Sequence, residues 1–150
     1  MRVLITGAGS YLGGAILGAL RKQGVEADEL DVRGALPEKA FQGYDRVVHV
    51  AGIAHRKETP ENRPLYEQVN HRLAVEIARA AKAQGVRQFV FFSTMSVYGK
   101  VTGRITADTQ PDPKNAYGAS KWAAEQEIAA LADEHFAVAV LRPPMIYGKG

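Results

Sequence analysis

The chain of 150 residues has no cysteine, a single tryptophan and only a small excess of positive charge. Without cysteine there can be no disulfide, no thiolate metal site and no cysteine nucleophile. No apolar run approaches the roughly 18 residues of a membrane-spanning helix. The opening MRVLITGAG runs directly into strand-like sequence with nothing resembling a signal peptide, so the expectation is a cytoplasmic domain. Lys and Arg number 19 against 16 Asp and Glu, a net charge of +3. That balance tolerates an anionic ligand, and its scatter along the chain argues against nucleic acid as a partner. There is no internal repeat and no low-complexity tract, and the length suits one domain with its own core.

What is present is an alternation of strand and helix signals. RVLIT (2–6), a weaker segment over 25–31, DRVVHVAG (45–52), VRQFVFFST (86–94) and FAVAVLR (136–142) read as strands. Helical spacing predicts helices over 13–23, 61–84 and 117–135, with Pro64 tolerable only in a first turn and Gly24 and Gly85 as stops. Residues 101–115 read as a loop from their Gly, Pro, Asp and Asn content. Strands alternating with helices predict an α/β fold with a doubly wound parallel sheet, whose ligands bind at the carboxyl ends of the strands.

The first such end carries TGAGSYLGG, residues 6–14. Glycines at 7, 9 and 13 allow a tight turn and close approach to a pyrophosphate, and the following helix offers unpaired N–H groups and its positive dipole end. Placed between a first strand and a first helix, this is a dinucleotide-binding signature. An acidic residue at the end of the second strand is then expected to hold the adenosine ribose. Asp31, 18 residues after Gly13, fits; Asp28 is the alternative, and Arg33 leaves a 2′-phosphate open. Further on, Tyr117 and Lys121 stand four residues apart, on one face of a helix.

With these motifs in hand, the sequence resembles the extended short-chain dehydrogenase/reductases, the group of nucleotide-sugar epimerases, dehydratases and reductases. TGAGSYLGG resembles their cofactor loop, HVAG (49–52) a strand motif, FVFFSTMSVYG (89–99) the strand delivering a Ser or Thr, YGASK (117–121) the Tyr-Lys motif, and LRPPMIYGKG (141–150) the sixth strand and its loop. The five occur in family order along the whole chain. The resemblance implies a Rossmann fold over 1–150, with NAD as cofactor and NADP still possible. It implies Thr94, Tyr117 and Lys121 as catalytic residues. The cofactor contacts it implies are Gly7, Gly9, Ser10, Tyr11, Leu12, Gly13, Asp31, Ala51, Asn70 and Pro143, with Tyr117 and Lys121. Ser93 and Ser96 flank Thr94 as alternative donors. A phenol titrates near ~10, and a neighbouring ammonium and a positive nicotinamide ring would favour its ionised form.

Other positions carry weaker signals. Asn70 is either a cofactor neighbour or a solvated mid-helix residue. His55, Arg56 and Lys57 follow a strand on the ligand side and read as a solvated loop rather than a diphosphate contact. His49 reads as a core histidine with its hydrogen bonds satisfied, and Trp122 as packing.

Three departures from the family pattern stand out. Ser10 replaces the usual middle glycine of the loop. Only 13 residues separate Asp31 from Asp45, too few for the expected helix, strand and helix, so a third strand is expected to be missing. The carboxyl-terminal substrate domain of the family is not evident by Gly150, so a fragment of a longer protein is expected. Met95 and Ser96 occupy the positions of the Asp-Glu pair of family dehydratases, which points away from elimination. The resemblance implies a nucleotide-sugar 4-epimerase acting on a UDP-linked substrate, with a 4-keto reductase as one alternative and a non-catalytic dinucleotide-binding module as another. It also implies a homodimer packed through helices 61–84 and 117–135.

Overall fold

The computed structural model describes residues 1–54 and 58–148. The five expected strands form as β1 (Arg2–Thr6), β2 (Glu26–Leu30), β3 (Arg46–His49), β4 (Gln88–Phe92) and β5 (Ala137–Leu141). They make one sheet in the order β2-β1-β3-β4-β5, and every neighbouring pair is parallel. Thr6 is in register with Leu30 and His49, and His49 with Phe91, so the strands finish together along one edge. The chain leaves β1 outward to β2 and then returns to β3 on the other side. Such a reversal opens a crevice between the carboxyl ends of β1 and β3, where open α/β sheets accept ligands.

Both faces are covered. Helix α1 (Tyr11–Lys22) lays Ile16, Leu17 and Leu20 over Val3, Ile5 and Ala27. On the other face runs one continuous helix: α2 (Arg63–Tyr66), a π-helical segment Glu67–Leu73, and α3 (Ala74–Ala83). Beside it lies α4 (Ala116–Ala129). Ile77, Ala78 and Ala81 of α3 and Ala124 and Ile128 of α4 close the larger core over Val47, Phe89 and Phe91. The alanines let both helices come close to the sheet, and the large side chains each stabilise the fold by roughly 1.5–3 kcal/mol through burial.

Several boundaries differ from the sequence expectation for local reasons. Helix α1 begins at Tyr11 rather than Gly13 because Ser10 caps it, its Oγ accepting the Gly13 N–H at 3.0 Å. Strand β3 ends at His49 rather than at residue 52. Helix α4 stops at Ala129 rather than at residue 135. Past its end, Asp133 Oδ1 accepts the N–H groups of His135 and Phe136, both at 2.9 Å, in a turn that delivers Phe136 into the core.

The expected loss of a third strand is borne out, since residues 32–44 hold neither strand nor helix. A plug stands in its place. Phe41 is fully buried, and Gln84 at the end of α3 grips the segment from both sides. Its Oε1 accepts the Phe41 N–H at 2.9 Å, and its Nε2 donates to the Glu38 carbonyl at 3.1 Å. Phe41→Ala is therefore expected to lower the unfolding free energy by about 3–5 kcal/mol in a urea titration; a loss below about 1 kcal/mol would show that the loop is not part of the core.

Candidate active site

The glycine loop closes the crevice from the β1 side. Gly7 has φ +97°, and a Cβ there would lie 3.0 Å from Val50 Cγ2 and 3.1 Å from the Ala51 nitrogen, so the loop passes directly against the segment after β3. Gly9 stands with open space around it, while Gly13 is buried under Ser10. The Ser10 hydroxyl points back onto its own helix as the cap, which is how the chain accommodates a side chain where the family pattern has glycine. Tyr11 and Leu12 line the cleft beyond. At the end of β2 the alternatives for the acidic residue separate. Asp28 is committed elsewhere, accepting from the Tyr44 hydroxyl at 2.9 Å and from Arg2 at 3.2 Å. Asp31 lies past the carboxyl end of β2, exposed, and pairs with Arg33 at 2.6 Å. The Arg33 hydrogen bonds pull its carboxyl down to about 2, so it is a carboxylate at any physiological pH.

Across the cleft, Thr94 caps a short 3-10 turn, Met95–Tyr98. Its Oγ1 accepts the Ser96 N–H at 3.1 Å and donates to the Ser96 hydroxyl at 3.2 Å. The Ser93 hydroxyl is buried without a hydrogen-bond partner among the described residues. Helix α4 begins opposite, capped by Asn115, whose Oδ1 accepts the Gly118 N–H at 2.7 Å. The first turn of α4 touches the Thr94 turn: a Cβ on Gly118 would lie 2.6 Å from the Ser96 carbonyl oxygen. That contact brings Tyr117 beside Thr94. Burial raises the Tyr117 phenol above its ordinary value, the hydrogen bond with Thr94 works against the rise, and Tyr66, edge-on at 6.3 Å between ring centroids, adds to it.

Lys121 lies one turn further in and is 4% exposed. Its ammonium donates to the Phe92 carbonyl at 2.8 Å and sits 4.8 Å from the Phe91 ring centroid. Burial brings it down to about 8, with Glu125 pulling the other way. Thr94, Tyr117, Lys121 and Pro143 therefore share with Ser10–Leu12 one cleft of about 590 Å³.

Asn70 is neither solvated nor free. It is fully buried in the π-helical segment, where Oδ1 accepts the Ile53 N–H at 2.8 Å and Nδ2 donates to the Ile53 carbonyl at 3.0 Å. It thus clamps the segment after β3 in which Gly52 faces both Asn70 and Lys121. His49 is buried as expected, between Phe89 and Phe91, but only half satisfied. Nδ1 hydrogen-bonds with the Thr6 hydroxyl at 2.7 Å, while Nε2 has no partner among the described residues. Burial pushes the ring down to about 3, with the Lys121 charge adding to the effect, so it is neutral. Trp122 packs under the Arg142 guanidinium, 5.4 Å from its ring centroid. His55, Arg56 and Lys57 lie outside the described residues.

Sequence reasoning missed Glu125, Arg142 and Tyr98. Glu125 is buried, and Arg142 binds it through Nε and Nη2 while Nη1 donates to the Tyr98 hydroxyl at 2.5 Å. The signal was present as a carboxylate four residues after Lys121 on α4 and an arginine ending the last strand beside Pro143. Among the described residues no helix is long and apolar enough to cross a membrane, and no cluster of His, Asp and Glu is placed to hold a metal ion.

A parallel sheet with a glycine loop on one side of its crevice and a Thr, Tyr and Lys on the other defines a Rossmann-type protein of the short-chain dehydrogenase/reductase kind. The chain belongs to the NAD dependent epimerase/dehydratase family, whose model matches residues 3–150. It is similar to UDP-glucose 4-epimerase of Vibrio cholerae, 36% identical over 110 residues that cover 69% of this chain and 34% of that protein. It is similar to 2-alkyl-3-oxoalkanoate reductase of Stenotrophomonas maltophilia, 30% identical over 175 residues that cover 100% of this chain and 52% of that protein. Among solved structures, MoeE5 in complex with UDP-glucose and NAD superposes with a TM-score of 0.84 at 27% identity, over 95% of this chain and 54% of that one. The chain spans about half the length, or less, of the curated relatives it matches.

The Gly118 contact yields a direct test. Gly118→Ala places a methyl group against a backbone oxygen that has no flexible end to yield. The expected cost is about 1–3 kcal/mol of stability, with amide chemical-shift changes at Thr94–Tyr98; an unchanged spectrum there would show that the two turns are not in contact.

Proposed function

We propose that this chain is the cofactor-binding and catalytic part of an NAD-dependent nucleotide-sugar 4-epimerase. The observation that carries this reading is the convergence of Thr94, Tyr117 and Lys121 on a cleft that begins at the glycine loop. The cradle fits a dinucleotide. Gly7 leaves no room for a side chain against Ala51, Gly9 is open, and the start of α1 with Tyr11 and Leu12 lines the cleft. In this reading Gly7, Gly9, Ser10, Tyr11, Leu12 and Gly13 hold the pyrophosphate. Asp31 holds the adenosine ribose, whose diol it recognises as a carboxylate, favouring NAD over NADP. Ala51 and Pro143 border the nicotinamide half. When bound, NAD supplies the hydride acceptor and a positive charge beside Tyr117.

The residues of the chain do the rest. Thr94 Oγ1 orients the reacting substrate oxygen by a hydrogen bond. Tyr117 Oη exchanges the proton with that oxygen. Its raised pKa keeps it a proton donor at neutral pH, and the Thr94 hydrogen bond together with a positive ring moves it toward base strength. Lys121 presents its ammonium to the nicotinamide ribose. Asn70 acts at one remove, by fixing the segment that carries Ala51 and Gly52. Met95, in the position of the dehydratase acid, has no proton to give, which supports hydride transfer without elimination.

A reductase is the second reading, favoured by the relative of that activity that aligns with the whole chain. The two differ in a simple readout, because an epimerase leaves the redox state of its cofactor unchanged at equilibrium and a reductase consumes reduced cofactor. We also assign homodimer pairing to the outer faces of α2–α3 and α4, which are tied together by His71 and Arg79 on Glu127 at 2.7 and 3.2 Å; sedimentation equilibrium showing a monomer at all concentrations would remove that assignment.

The decisive variant is Tyr117→Phe in a longer protein that contains this chain. Interconversion of UDP-hexose 4-epimers is expected to fall by about 10²–10⁴-fold while NAD binding survives. Unchanged turnover would overturn the assignment of Tyr117.

A further inference from the structure

Lys121 occupies a position that opposes its own charge. It is buried against the Phe91 ring, and its ammonium donates to the Phe92 carbonyl at 2.8 Å. The groups around it come from every neighbouring element. From β3 comes His49, neutral and therefore no counterion. The π-helical segment contributes the amide of Asn70, already engaged with Ile53. Tyr117 lies one turn before it on α4, its phenol protonated. Only Glu125, one turn after it, brings a negative charge that reaches it among the described residues.

Glu125 is itself 3% exposed, and a carboxylate so buried persists only with strong partners. Arg142 supplies them. Its Nε lies 3.1 and 3.0 Å from the two carboxylate oxygens and its Nη2 2.5 Å from Oε2. The same guanidinium reaches the Tyr98 hydroxyl at 2.5 Å, at the far end of the turn that Thr94 begins. Arg142 directly follows β5, where the Leu141 carbonyl accepts the Ser93 N–H at 2.7 Å and the Pro143 carbonyl accepts the Met95 N–H at 3.2 Å. One arginine thus ties together the three elements that carry Thr94, Lys121 and Pro143.

We propose that Glu125, pinned by Arg142, is a positioning residue that keeps Lys121 charged and seated at the cleft, while Arg142 holds the Thr94 turn against α4. The role in catalysis rests on the function proposed above; the effect on Lys121 does not. Spacing of four residues puts the two side chains on one helix face, and an opposite charge at that range favours the protonated amine. Removing the carboxylate also leaves the Arg142 charge uncompensated, which pushes Lys121 in the same direction.

The test uses this chain without substrate or cofactor. The lysine side chains are followed by ¹³C,¹⁵N NMR across a pH titration, with the Lys121 signal assigned by its loss in Lys121→Met. The parent chain is expected to titrate with a midpoint of about 8. In Glu125→Gln the midpoint is expected to fall by about one pH unit or more, so that at pH 7 a large fraction of Lys121 is neutral. Glu125→Asp, which retains the charge, is expected to fall less, and it serves as the reading if the amide variant does not fold. A Lys121 midpoint equal to the parent value in a folded Glu125 variant overturns the proposal. Because this readout needs no turnover, a shifted Lys121 in a chain that binds no NAD would refute the proposed function and leave the Glu125–Lys121 coupling standing.

Discussion

The cleft depends on the side chain that residue 118 does not have. Helix α4 meets the Thr94 turn so closely that a Cβ on Gly118 would stand 2.6 Å from the Ser96 carbonyl, well inside van der Waals contact. With glycine there, the Tyr117 phenol reaches Thr94 and Lys121 reaches the carbonyl at the end of β4. Every other device at this edge serves the same approach. Asn115 fixes where α4 begins, Arg142 fastens the turn to the helix from below, and the backbone of residues 141–143 bonds to Ser93 and Met95.

Close approach has an electrostatic consequence. Removing water from three polar groups raises the phenol, lowers the amine and leaves His49 neutral. Desolvation is the leading cause in each case, ahead of any single neighbour. The i,i+4 spacing of Tyr117 and Lys121 suggests from sequence that the ammonium directly steadies the phenolate. In the structure the ammonium donates to the Phe92 carbonyl, and the group acting against the rise in Tyr117 is Thr94. The pair is thus a scaffold with its charges set by burial, ready for the further shift that a cationic ligand would bring.

Much of this was legible in the sequence. All five strands, the parallel sheet and the missing third strand follow from apolar runs, turn residues and the short interval between Asp31 and Asp45, because those signals are local. The grouping of Thr94, Tyr117 and Lys121 follows from motif order, because each sits at a strand end or helix start that the topology delivers to one edge. Long-range partnerships were not legible. Nothing local marks Phe41 as the plug that replaces a strand, since its environment is made by Gln84, 43 residues away. Glu125 is set apart only by its spacing from Lys121 until Arg142, which follows the last strand, is folded onto it. The π-helical turns around Asn70 leave no compositional trace, and the early end of α4 is set by a tertiary demand for Phe136 in the core.

The claim most exposed to contradiction is that the glycine loop and the Thr94–Tyr117 edge form a single dinucleotide cleft. Titration of ¹⁵N-labelled chain with NAD tests it directly. The account predicts saturable shifts of the Gly7–Gly13 amides together with those of Thr94–Tyr98, at one common dissociation constant. Saturation without movement at one of these two segments, or no saturable binding at all, would contradict it.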